Sequence, residues 1–95
     1  MIVIAFKGSP GKCGGEKLDI ADTKCTDFDS DDPQCVDCRV MCASYDECVG
    51  FYIIVSGHSN VGSCYFKKGS FIVDVNEYTE KNMICFKKDV QGKTR

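Results

Sequence analysis

The residues with the widest chemical scope in this chain are its eight cysteines, about one residue in twelve. A thiol serves as a redox nucleophile, a metal ligand or half of a disulfide, and its neighbours decide which. Cys35-x-x-Cys38 has the spacing of a thioredoxin-type pair. That chemistry needs an exposed first thiol at a helix N-terminus within a βαβ unit, and no βαβ pattern surrounds it here. A zinc site would draw on Cys35, Cys38, Cys42 and the single histidine, His58. Structural zinc sites show two paired knuckles, and only one pair is present, so neither a metal nor a cofactor is expected. An even cysteine count in so short a chain reads instead as a disulfide framework.

The remaining reactive groups are sparser. Asp27, Asp29 and Asp31 alternate like the first ligands of a calcium loop. However, Asp32 stands where that loop needs glycine and Cys38 where it needs glutamate. Capping of a helix start accounts for these carboxylates. His58 shares the loop 56–63 with Ser56, Ser59 and Ser63. Groups so close together on a glycine-flanked loop lack a scaffold for catalytic geometry, and no GxSxG elbow or glycine-rich phosphate loop occurs. The chain is therefore read as no enzyme, without catalytic residues.

Composition sets the limits within which these groups must be positioned. The 95 residues make one domain, 43% hydrophobic and 27% charged, which excludes a disordered chain. A domain of this size buries only about two-thirds of its unfolded surface, so its core is marginal without covalent staples. The net charge is −2, with five Lys/Arg against ten Asp/Glu in residues 1–48 and seven against four in residues 49–95. That asymmetry can orient a charged partner. Lys67-Lys68 and Lys87-Lys88 are the densest basic pairs. A nucleic-acid binder needs a basic stripe interleaved with stacking aromatics, and Phe51, Tyr52, Tyr65 and Phe66 read better as core alternating with surface. No nucleic-acid partner is expected. No run approaches the ~20 apolar residues of a membrane span, so no membrane insertion is expected either. The cysteines point to an oxidising compartment, so a secreted or cell-surface location is expected. With no signal segment visible, the chain is read as a mature protein or an excised domain, with Met1 supplied for expression.

The pattern along the chain predicts one helix and several short strands. The β-branched and aromatic run Ile2 to Phe6 reads as a strand, broken by Gly8-Ser-Pro-Gly11, with Gly14-Gly15 continuing the loop. A helix is expected from Gln34, with Pro33 at its first position and Ser30, Asp31 or Asp32 as its cap. It carries Cys35, Cys38, Val40, Met41 and Cys42, and its three cysteines share one inward face. Phe51 to Val55, Cys64 to Lys68, Phe71 to Val75 and Met83 to Lys87 read as strands, the first two joined as a hairpin. Residues 88–95 read as a flexible polar tail. The expected fold class is α+β, one helix packed on a twisted antiparallel sheet.

The stretch Cys38-x3-Cys42-x5-Cys48-x2-Phe51, followed by Cys64-Tyr-Phe-Lys67, resembles the PAN/apple domain family, closely over 38–68 and more loosely over 13–85. On that basis residues 1–95 are expected to form a single PAN/apple-like domain with a cysteine-bounded core over 13–85. Eight cysteines permit 105 pairings, among which sequence alone does not choose. The resemblance implies Cys38–Cys64, Cys42–Cys48 and Cys13–Cys85. It leaves Cys25 and Cys35, which the family's three-bridge pattern lacks, to pair with each other. The register is open at Cys35, which can replace Cys38 as the first helical cysteine.

What the resemblance implies about function is extracellular adhesion or recognition, with a protein or carbohydrate ligand, lectin-type binding included. Such domains occur in clotting proteases, in growth-factor N-terminal regions and in apicomplexan attachment proteins, and some bind sulfated glycans. The chain also resembles the leech antiplatelet proteins, which implies an alternative, a secreted antagonist of a host haemostatic or matrix protein. It can equally form part of a larger multidomain protein. The residues expected to contact a ligand are His58, Ser59 and Asn60 at the hairpin tip, with Tyr65 and Lys67 or Lys68 lining an adjacent groove.

Overall fold

The computed structural model describes residues 3–57, 59–74 and 82–91. They form strands β1 (Val3–Pro10) and β2 (Lys12–Lys17), helix α1 (Val36–Ser44), then β3 (Cys48–Ile54), β4 (Cys64–Asp74) and β5 (Met83–Gln91). The five strands make one antiparallel sheet in the order β1-β5-β3-β4-β2, an α+β arrangement with one helix.

The centre of the sheet is β3, whose residues are buried on both faces because both are covered. Phe51 and Ile53 point to the helix side, where they meet Phe66, Phe86 and the helical cysteines. Phe51 packs against Phe86 at 4.9 Å between ring centroids, against Phe6 at 5.6 Å and against Phe66 at 5.7 Å. Tyr52 and Ile54 point the other way, to a second cluster built around Cys13 and Cys85. One period-2 strand thus feeds two cores.

Four disulfides join Cys13 to Cys85, Cys25 to Cys35, Cys38 to Cys64 and Cys42 to Cys48, and no cysteine is left free. Multiple disulfides are typical of extracellular proteins. No helix among the described residues is long and apolar enough to cross a membrane.

The helix depends on three of these bridges. Nine residues are too few for a stable isolated helix, and Val36 and Val40 on its outer side are 61% and 60% exposed. Cys38 and Cys42 bolt it to β4 and to the start of β3, while the Cys25–Cys35 bridge fixes its entry. At its far end the Lys88 ammonium donates to Cys42 O and Tyr45 O, both at 3.1 Å. It supplies the cation that the last helical turn lacks. Burial pulls its pKa below the usual lysine value, opposed by Asp46.

The helix start differs from expectation. Cys35, not Ser30, Asp31 or Asp32, occupies the cap position, in left-handed conformation (φ 49°) and without a side-chain cap bond. Pro33 lies before the helix. The carboxylate of Asp27 reaches across instead, accepting from Gln34 N at 2.7 Å and Cys35 N at 3.0 Å. A cap eight residues upstream is invisible to a local pattern. These two N–H donors hold the Asp27 pKa below its usual 3.8, assisted by Arg39. A depressed folded-state pKa adds stability that is complete above 3.8 and lost as the pH falls through the lower folded value. The expected result is a thermal midpoint that drops on acidification below pH 3.8. Asp27→Asn, costing about 1 kcal/mol at neutral pH, should flatten that drop. An unchanged acid slope in the variant would remove Asp27 from this role.

The strands also correct several expectations. β1 runs through Gly8 and Ser9 to Pro10 rather than breaking at Gly8. It is an edge strand, where a proline without an N–H is tolerated. The glycine stretch expected as loop forms β2, at the opposite edge. Its Lys-Cys-Gly-Gly-Glu-Lys sequence has no strand propensity, and its pairing with β4 and the Cys13–Cys85 bridge impose the conformation. The two expected strands at 64–68 and 71–75 are one, Cys64–Asp74, with Val75 outside the described residues. Gly69 makes this continuity possible. It bends the strand at φ +77°, level with bulges in both neighbouring pairings, so the distal half curls and carries Cys13 to Cys85. Finally, residues 88–91, expected in the flexible tail, are the last part of β5 and pair with Val3 to Phe6. Residues 92–95 lie outside the described residues.

Candidate functional site

A groove of about 510 Å³ opens beside β4, between the strand and the segment that follows β2. Its origin lies in backbone pairing. After β2 the chain stays bound to β4 at Leu18, whose N–H donates to Phe66 O at 3.0 Å. It returns at Thr23, whose carbonyl accepts from Cys64 N at 3.1 Å, and at the bridge between Lys24 and Ser63. Only one residue separates the two anchors on β4, whereas four separate them on the segment after β2. Residues 19–22 must therefore arch away from the sheet, and the groove is the space beneath that arch.

Tyr65, on β4, stands between the arch and Tyr52 of β3. The two rings are register neighbours and stack at 5.0 Å with 24° between planes. Tyr52 is 9% exposed, while Tyr65 is only half-buried. The Lys67 ammonium lies 5.5 Å from the centre of the Tyr52 ring, within cation–π range. Burial, with the neighbouring Tyr65, raises the Tyr52 pKa above its usual value. Asn60 enters from the hairpin loop, and Asp19 and Asp22 come from the arch. The site combines an aromatic wall with carboxylate, amide and ammonium groups, a lining suited to orienting a polar ligand that has one apolar face.

Of the residues expected to contact a ligand, Asn60, Tyr65 and Lys67 come together in this groove. Ser59 is exposed on the hairpin loop and is not part of the lining. Lys68 follows Lys67 in the pleat and belongs to the helix side of β4, away from Tyr65. His58 lies outside the described residues. The arch was not foreseen. Residues 16–26 carry no helix or strand period, and only the pairing with β4 reveals where they run. The hairpin loop holds its place through Gly62, whose N–H donates to Ile54 O at 2.8 Å. Its φ of +91° favours glycine, and a Cβ there would stand 3.2 Å from Phe28 Cδ1.

From the calcium-like and zinc-like patterns, Asp27 and the three cysteines have structural roles. Asp27 caps the helix start. Cys25, Asp27 and Cys35 bring their sulfur and oxygen atoms within 4.8 Å of one another, but both sulfurs are spent in one disulfide, leaving a single carboxylate. No family model, curated protein or solved structure matches the chain.

Proposed function

We propose that this protein is an extracellular, non-catalytic recognition module of PAN/apple type that holds a sugar ring in the groove beneath the arch. The observation that carries the reading is the Tyr52–Tyr65 stack beside a cleft that also contains Asp19, Asp22, Asn60 and Lys67. The C–H face of a pyranose packs on an aromatic ring, while its hydroxyls donate to carboxylates and accept from amide and ammonium groups. Both signs of charge line the cleft, which favours a neutral sugar over a sulfated one. Four disulfides, with a helix bolted to an antiparallel sheet, support the family reading and an extracellular setting.

A glycan array on the oxidised monomer, at low and at physiological salt, tests this. Selective binding to neutral sugars at both salts is the expected result. Tyr65→Ala should weaken it at least about tenfold, equivalent to losing about 1.4 kcal/mol of stacking and burial, with the fold intact by NMR. Binding confined to sulfated glycans at low salt would reduce the site to an electrostatic patch, and a blank array would replace the sugar with a protein ligand.

A further inference from the structure

A second cavity, of about 460 Å³, lies on the helix side of the sheet, at the other end of the molecule's strand order. Its floor is Phe86 and Ile84 of β5, and its walls are Gly8 and Pro10 of β1 and the buried Pro33. The space exists because position 8 lacks a side chain. A Cβ on Gly8 would meet Phe86 Cε1 at 3.3 Å, so any larger residue would intrude over the ring. The rim carries Asp31 and Asp32, both exposed. The Asp32 carboxylate is oriented by Gln34 Nε2, which donates to it at 2.9 Å.

An apolar recess with carboxylates at its mouth is complementary to a long aliphatic stem that ends in a cation. The Phe86 ring already accepts one such group from within the molecule, since the Arg39 guanidinium lies 5.4 Å from its centre. That arginine is matched by Asp27, whose carboxyl it helps keep ionised, and its Nε donates to Gln34 O. The carboxylates of Asp31 and Asp32 remain as the slot's own charge. We propose that the slot over Phe86 is a second recognition site, which receives an arginine or lysine side chain exposed on a partner protein. Arginine suits it better, because a planar guanidinium engages a carboxylate through two donors.

The site is separate from the sugar groove, and its test does not depend on that groove. Blocked tripeptides with a central arginine, lysine, norleucine or glutamate are titrated into the oxidised, 15N-labelled domain and followed by amide shifts. The arginine and lysine peptides should move the amides of Gly8, Asp31, Asp32 and Phe86 with dissociation constants of about a millimolar, as expected for one side chain. Norleucine should bind about fivefold more weakly, glutamate should leave these amides unmoved, and salt should weaken the cationic peptides. Gly8→Val, which fills the slot, should abolish the shifts. Should that variant fail to fold, the surface double variant Asp31→Asn/Asp32→Asn should still weaken binding about fivefold and erase its salt dependence. Equal binding of norleucine and arginine would make the slot a purely apolar site. Silent amides at about 10 mM peptide, an excess that saturates a millimolar site, or unchanged binding in the double variant would overturn the proposal.

Discussion

Phe51→Ala should cost about 3–5 kcal/mol, the range for removing a fully buried aromatic ring. Phe51 is 0% exposed and touches rings from three other strands, Phe6 of β1, Phe66 of β4 and Phe86 of β5. Its loss opens a cavity beside β4, β5 and the helix, which disulfides tether and leave little freedom to collapse, and this places the cost toward the upper end. Against a total stability of about 5–15 kcal/mol, typical of a domain this size, the variant would be near unfolding at moderate temperature. Urea unfolding with the disulfides intact measures this, and the native near-ultraviolet circular dichroism should weaken as well. A cost below about 1.5 kcal/mol would mean that the aromatic cluster can repack without its centre.

The double variant Cys13→Ala/Cys85→Ala should lose about 4 kcal/mol, and Cys42→Ala/Cys48→Ala about 2 kcal/mol, in the chain-entropy account of disulfides. The difference follows from sequence separations of 72 and 6. Shortcuts through Cys25–Cys35 and Cys38–Cys64 roughly halve the effective length of the longer loop, which removes only about 0.6 kcal/mol. Both half-cystines of the longer bridge are fully buried in the cluster with Tyr52 and Ile54. Its removal should therefore also loosen the Tyr52–Tyr65 stack and weaken the sugar binding proposed for the groove. Comparing urea midpoints of the two double variants is the measurement. An equal loss from both would show that the unfolded-chain entropy is not what separates them.

The sequence was most legible where chemistry and period agree. Phe51 to Val55 reads as a strand because it is β-branched and aromatic, and it is the central strand, ending at Ile54. The helix could be read from the spacing of Cys38 and Cys42. What could not be read is whatever depends on a distant partner. β2 has no strand propensity and exists by pairing with β4. Asp27 caps a helix eight residues away through two backbone N–H groups. Gly69 looks like a strand end, yet serves as a bend within one. The candidate groove was half legible for the same reason. Tyr65, Lys67 and Asn60 lie on a recognisable hairpin, whereas the arch over 19–22 is set by two hydrogen bonds to β4. The slot over Phe86 depends on the absence of a side chain at Gly8, which no motif encodes.

The pairing of β1 with β5 has a mechanical consequence. Val3 lies opposite Gln91, so tension applied through the two flanking segments pulls two antiparallel neighbours apart from the same end. Such a pair unzips one rung at a time and yields at low force, since each hydrogen bond is loaded in turn rather than all together. Peeling stops at Cys13–Cys85, a covalent link that carries the load across the base of the ladder. Everything between those two cysteines, including the arch, the tyrosine pair and the three other bridges, is then shielded from the pull. Under flow or traction the domain would pay out a short slack of chain while the candidate groove stays folded.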